Sequence, residues 1–245
     1  ILVFSTGSPA VDKAALLDLL RGRLARVERR LTAACVRAGR ARSAVTLVAV
    51  TKTIAIDVAA LLPELGLLDL GENRPQELWR KAAALPSSIR WHLIGHLQRN
   101  KIEQTLPLVA LIHSVDSVRL MQSLEQSASH QQRIVEVLLE VNVAGEARKH
   151  GFSPAEISSL EPMLQNHQRV HVKGLMTMAP LQDAEACRPV FATLRQLRNQ
   201  LRERLRPPHD PQQLSMGMSN DFEVAVEEGA TLVRLGNVLF EGLSA

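Results

Sequence analysis

The chain is 245 residues long, 46% hydrophobic, 22% charged and 3% aromatic, with a formal net charge of +4. That content supports a substantial core in one large domain or two small ones, and no apolar run approaches the roughly 18 residues of a membrane helix. Its two cysteines, Cys35 and Cys187, lie far apart and outside any Cys/His ligand spacing, which indicates neither a disulfide framework nor a thiolate zinc site and makes a reducing cytoplasm the default compartment.

The first ten residues, ILVFSTGSPA, carry an apolar tetrad without a basic region before it, so no export signal is expected and they read as a flexible or trimmed end. Val11 to Gly39 reads as a long amphipathic helix, with Val11, Leu16, Leu20, Leu24, Val27, Leu31 and Cys35 at steps of three to five, Asp12 as an early N-cap and Gly39 as the stop. A strand from Thr46 to Val50 then runs into Lys52. Ile56 to Leu65 is helical up to Gly66; a second strand, Leu67 to Leu70, enters Gly71-Glu72-Asn73.

The alternation continues with a helix from Pro75 to Leu85, a strand from Ile89 to Ile94, a short helix from Asn100 to Leu106 and a strand from Val109 to Ser114. After Asp116 a helix runs through Leu124, and Ile134 to Val143 is the clearest strand of the chain. Ser153 is an N-cap with Glu156 at the capping-box position. Val170 to Met176 is the sixth strand, Ala184 to Leu205 the next helix, Gln213 to Met216 the seventh strand and Thr231 to Leu235 the eighth.

Eight short apolar strands separated by helical segments fit a closed (β/α)8 TIM barrel better than an open sheet, with the long first helix as an addition and all 245 residues in a single domain. In such a barrel the functional site lies at the C-terminal strand ends. Those ends read as Lys52, Asn73, His92 with Gly95 and His96, His113 with Ser114 and Asp116, Asn142, Met176 with Thr177, Ser215 to Ser219, and Arg234 to Asn237.

Lys52 has two readings: a solvated residue closing a strand, or a nucleophile whose amine attacks a carbonyl where burial or a neighbouring cation frees it of its proton. SMGMSND, from Ser215 to Asp221, and LGNVLF, from Leu235 to Phe240, each set a glycine and polar groups before a helix start, as an anion cradle does. The alternatives are that Gly217 and Gly236 serve turns needing positive φ, and that His92 is a satisfied core histidine. A lysine on strand one facing anion loops after strands seven and eight describes a holder for a phosphate-bearing aldehyde, for which pyridoxal 5′-phosphate is the obvious candidate. The arginines at 188, 195, 198, 202 and 206 follow the spacing of a solvated helix face, and with so few aromatic residues no nucleic-acid role is expected.

AVTKT with Lys52, GENRPQE from Gly71, WHLIGHLQRNK from Trp91, HSVD from His113, GLMTM from Gly174, LSMGMSNDFEVAVEEGAT from Leu214 and VRLGNVLFEG from Val233 resemble, in order, the pyridoxal phosphate homeostasis proteins, single-domain relatives of the alanine racemase barrel. The resemblance runs from about Val45 to Gly242. It implies that Lys52 carries the cofactor as an internal aldimine and that Asn73 lies beside it. Ser219, with the backbone around Met218, Gly236 and Asn237, would hold the phosphate, while Arg234 would approach the pyridine nitrogen. His92, Met176, Ser215 and Gly217 complete the candidate set.

The implied function is intracellular vitamin B6 homeostasis: a monomer that holds the cofactor and supplies it to apo-enzymes, with no robust turnover. An arginine at the ring nitrogen weakens the ring as an electron sink, and the chain contains no tyrosine to act as the racemases' second acid/base. The alternatives are a slow amino-acid racemase using the same cofactor and a cofactor-independent Schiff-base lyase or aldolase. Two departures from the family pattern stand out: Arg74 occupies the place of the usual tyrosine after GEN, and the sequence ends FEGLSA without a basic terminal segment.

Overall fold

A computed structural model describes residues 13–146 and 150–243. Within them eight parallel strands close into a barrel in chain order: β1 (Thr46–Val50), β2 (Asp69–Glu72), β3 (Arg90–Leu93), β4 (Val109–Val115), β5 (Val135–Glu140), β6 (Val170–Met176), β7 (Gln213–Ser215) and β8 (Leu232–Leu235), the last pairing back onto β1. The alternation within β1 shows why these segments suit the fold. Val48 points inward to an apolar layer shared with Leu111, Leu138, Met176 and Leu232, while Leu47 and Ala49 point outward into the core beneath the helices. Both faces of each strand are therefore buried, and apolar, β-branched runs satisfy both.

Some boundaries differ from those expected. β2 begins and ends two residues later, because Gly66 (φ 78) closes a 3-10 turn and Leu67 and Leu68 still belong to the connection. Gly71 is thus a strand residue and not a stop; a Cβ there would lie 3.1 Å from Val48 Cγ1, inside the narrow barrel. The helix expected from Ile56 to Leu65 splits into Ile56–Ala59 and the 3-10 turn Pro63–Leu65, since Pro63 has no N–H to continue the ladder. β5 is shorter than expected, with Val141 retained only in a bridge to Phe152. Ser153 forms the expected capping box with Glu156, opening Pro154–Ser159. The expectations for residues 1–10, Val11 and Asp12 lie outside the described residues.

The long helix α1 (Lys13–Arg37) buries Leu16, Leu20, Val27, Leu31, Ala34 and Cys35 and ends where Gly39 takes φ 64. It lies against the two short helices that follow β7 and β8, Phe222–Glu227 and Asn237–Phe240. Arg30 reaches Glu223 at 2.5 Å, Arg37 reaches Glu227 at 2.6 Å, and Arg23 donates to the Leu239 carbonyl at 3.1 Å. On the helix Arg188–Arg204, Arg188 pairs with Glu185, Glu227 and Glu228, and Arg195 with Glu228, so these guanidinium groups are engaged within the chain. Among the described residues no helix is long and apolar enough to cross a membrane.

Candidate functional site

Lys52 stands two residues beyond β1, on an exposed turn at the barrel mouth. The turn is fastened from below. Lys81, on the helix Pro75–Ala84, donates from Nζ to the Thr51 carbonyl and to Glu72 Oε1, each at 2.6 Å, and Thr51 Oγ1 donates to the same carboxylate oxygen at 2.6 Å. Lys81 and Glu72 are essentially inaccessible to solvent. A buried charge pair of this kind is costly to form, and it is retained where it fixes geometry; here it fixes the end of β1 and hence where Lys52 emerges. The sequence held one signal for it: Lys81 continues the buried three-residue stripe of Pro75 and Leu78, an unusual place for a lysine.

A cavity of about 280 Å³ opens beside Lys52, close to the lower end of the roughly 300–1,000 Å³ of small-molecule sites. Its walls include Val50, Lys52, Ile94, the turn Met218 to Asp221, Arg234, Gly236 and Asn237. A second, more open groove on the other side of Lys52 is lined by Asn73, Arg74, Glu77 and Arg80. Lys52, Asn73, Met218, Ser219, Arg234, Gly236 and Asn237 therefore all reach the mouth, with Asn73 on the groove side.

The turn expected to cradle an anion is built by its own side chains. Asp221 Oδ1 accepts the Met218 N–H at 2.6 Å, so that amide is taken up within the turn. Burial raises the Asp221 carboxyl, against the pull of the Met218 N–H and Arg234. Ser219 Oγ accepts the Val238 N–H at 3.3 Å, joining the β7 turn to the helix after β8 and leaving its own proton for a ligand. Gly217 adopts φ 93, and a Cβ on it would fall 2.6 Å from Ala225 Cβ, so it serves the turn and its packing. Gly236 has φ −117 and needs no left-handed conformation; it lets the backbone pass close to Val50.

Met176 and Ser215 close β6 and β7, and His92 stands one residue before the end of β3, but all three are buried and none of them lines the cavity. Met176 belongs to the interior apolar layer. His92 and Ser215 belong to a buried file of polar groups that sequence reasoning missed. Arg234 donates to Ser215 Oγ (2.5 Å) and to the Thr177 carbonyl (2.9 Å); Ser215 Oγ meets His113 Nδ1 at 2.8 Å, His113 Nε2 meets His92 Nδ1 at 2.9 Å, and His92 Nε2 meets Asp69 Oδ1 at 3.0 Å.

One assignment of protons satisfies every member. Burial above all holds His113 well below the usual imidazole value, so it carries one proton. Ser215, already an acceptor from Arg234, donates to His113 Nδ1; His113 donates to His92, and His92 donates to Asp69. All the bonds point the same way, from Arg234 at the mouth to Asp69 at the opposite rim, where Arg90 holds the carboxylate at 2.7 Å. Burial lowers Arg234 to about 10 against the opposing charges of Asp221 and Glu140, which leaves it charged at neutral pH.

Asp69 gives the file a pH signature. Burial alone would raise its carboxyl, but hydrogen bonds from His92 and Arg90 outweigh that and bring it to about 2 from the ordinary 3.8. A folded value below the unfolded one means stability that is complete above about pH 4 and lost as pH falls toward 2, worth about 2 kcal/mol. Urea unfolding of the wild type should therefore lose stability more steeply between pH 4 and 2 than Asp69→Asn does. Equal slopes would remove Asp69 from the file.

Glu140, at the end of β5, is a further mouth residue that the sequence reading passed over. Its carboxyl is raised to about 7, first by burial and then by the charge of Asp116, with Arg234 and His96 pulling the other way.

The fold and its mouth define a barrel of the alanine racemase N-terminal type, and the comparisons agree. The profile described as alanine racemase, N-terminal domain, matches residues 24–244. The pyridoxal phosphate homeostasis protein of Aquifex aeolicus is 42% identical over 222 residues, covering 89% of this chain and 96% of the relative. A protein of unknown function from Bifidobacterium adolescentis superimposes with a TM-score of 0.87 at 34% identity, covering 95% of this chain and 98% of its own. PipY of Synechococcus elongatus, solved with pyridoxal phosphate bound, does so with a TM-score of 0.77 at 34% identity, covering 90% and 99%. The chain belongs to the pyridoxal phosphate homeostasis protein family.

Proposed function

We propose that this chain holds pyridoxal 5′-phosphate reversibly at Lys52 and acts in cofactor homeostasis in the cytoplasm, as a monomer that passes the cofactor to apo-enzymes. The observation that carries the reading is that Lys52, Arg234 and the Ser219, Gly236 and Asn237 cradle border one cavity. That donor set fits the group: an amine for the aldehyde, a fixed cation for the ring nitrogen, and a hydroxyl with helix-start amides for the phosphate. PipY, solved with pyridoxal phosphate bound, supports the choice of cofactor. The cytoplasmic setting is supported by two buried free thiols.

When bound, the cofactor supplies an aldehyde carbon that an amine takes up reversibly. The chain's residues govern the rest. Lys81 and Glu72 hold the turn that presents the Lys52 amine, and Ser215 and the Thr177 carbonyl fix Arg234 where it borders the cavity. A guanidinium kept charged in that place disfavours protonation of a ring nitrogen opposite it, which restrains carbanion chemistry and favours holding over turnover. The test is direct: adding the cofactor to purified protein should give a near-visible absorption band, and borohydride reduction followed by peptide mapping should place a pyridoxyl group on the Lys52 peptide. A label on another lysine would overturn the site, and no label would overturn the function.

A further inference from the structure

The rim of the barrel between β3 and β5 carries a cluster that the cofactor site does not use. His96 follows β3, Asp116 follows β4 and His150 follows β5, and one ligand atom from each lies within 4.8 Å of the other two. His96 Nδ1 lies 2.8 Å from Asp116 Oδ2, and His150 Nδ1 lies 3.9 Å from the same oxygen. The two imidazole rings stack, with centroids 4.8 Å apart and planes inclined by 22°. A hydrogen bond accounts for His96 but not for the second imidazole directed at that oxygen.

The supports behind these residues are those of a prepared site. Asp116 is largely buried, and its other oxygen, Oδ1, accepts from Ser117 Oγ at 3.1 Å, which leaves Oδ2 to face the histidines. Ser117 is itself fixed as the N-cap of the helix Val118–His130, accepting the Leu120 N–H. The loop that carries His96 is tied to β4 by Ser114 Oγ, which donates to the Gly95 carbonyl at 2.6 Å. It is also pressed so close to Asn73 that a Cβ on Gly95 would fall 2.2 Å from the Asn73 carbonyl oxygen. Hydrogen-bonded partners that orient a ligating carboxylate are the usual second layer of a metal centre.

The geometry points to a binding site for a divalent first-row transition ion, held by His96, Asp116 and His150. Two imidazoles and one carboxylate suit zinc, cobalt or nickel, with the remaining positions open to water. Metal bonds of about 2.0–2.2 Å put two ligands at right angles about 3 Å apart, close to the His96 and Asp116 spacing. His150 must approach by about 1 Å, which rotation of its solvent-exposed ring provides. The site sits on the same mouth as the cavity but shares no residue with it.

Cobalt(II) is the probe. Titrated into the cofactor-loaded protein, it should bind at one equivalent and produce visible d–d bands, with zinc(II) competing for the same site in calorimetry. His150→Ala and Asp116→Asn should each weaken binding on the order of 100-fold while leaving the cofactor band in place. His150→Ala changes only an exposed side chain, so folding does not confound it. Absence of saturable binding at one equivalent overturns the inference, as does binding that survives both substitutions. Loss of the cofactor band in His150→Ala would overturn the separation of this site from the cofactor cavity.

Discussion

Lys52→Ala is expected to abolish the borohydride-trapped pyridoxyl label and to weaken retention of the cofactor through gel filtration on the order of 100-fold, a cost of about 3 kcal/mol. The phosphate cradle and Arg234 remain, so some non-covalent occupancy persists and is washed out. Stability should be nearly unchanged, within about 0.5 kcal/mol, because Lys52 is exposed and the turn beneath it is held by Thr51 and not by its own side chain. Measured together, the label and the unfolding midpoint separate a chemical role from a structural one. A variant that keeps its label would move the attachment point elsewhere.

Lys81→Met should do the reverse, with a loss of about 3–5 kcal/mol in urea unfolding, because it strands the Glu72 carboxylate in the interior. Glu72 Oε2 already has no hydrogen-bond partner and the side chain is inaccessible to solvent, so the group has no way to rehydrate. Removing both charges in Glu72→Gln/Lys81→Met should recover most of that loss, since the penalty comes from the unpaired charge and not from the shape. A single variant within 1 kcal/mol of wild type would show that the pair does not carry charge in the folded protein. The double variant also asks whether Lys52 needs a rigid support: recovered stability with poor labelling would assign the pair to placing the amine.

The barrel was legible because its strands are buried on both faces and so stand out as apolar runs against amphipathic helices. That Lys52, Ser219, Arg234, Gly236 and Asn237 border one cavity was legible because each lies within a contiguous motif at a strand end. The partners of His92 and Ser215 were hidden for the opposite reason. These two are polar residues on strands, and polarity on a strand suggests an exit; what satisfies them inside is contributed by β2, β4 and β8, remote in sequence. The late end of β2 was hidden by Gly71, which reads as a stop in one dimension and is a clearance requirement in three.

The file from Arg234 to Asp69 can be regarded as a cation and an anion joined through Ser215, His113 and His92. Its ends are opposite charges on opposite faces of the barrel, too distant to form a pair by contact. Because every intervening group hands a proton in the same direction, the local dipoles add instead of cancelling. A polar path thus runs through an otherwise apolar barrel interior, from Asp69 at the start of β2 to the guanidinium that borders the cavity.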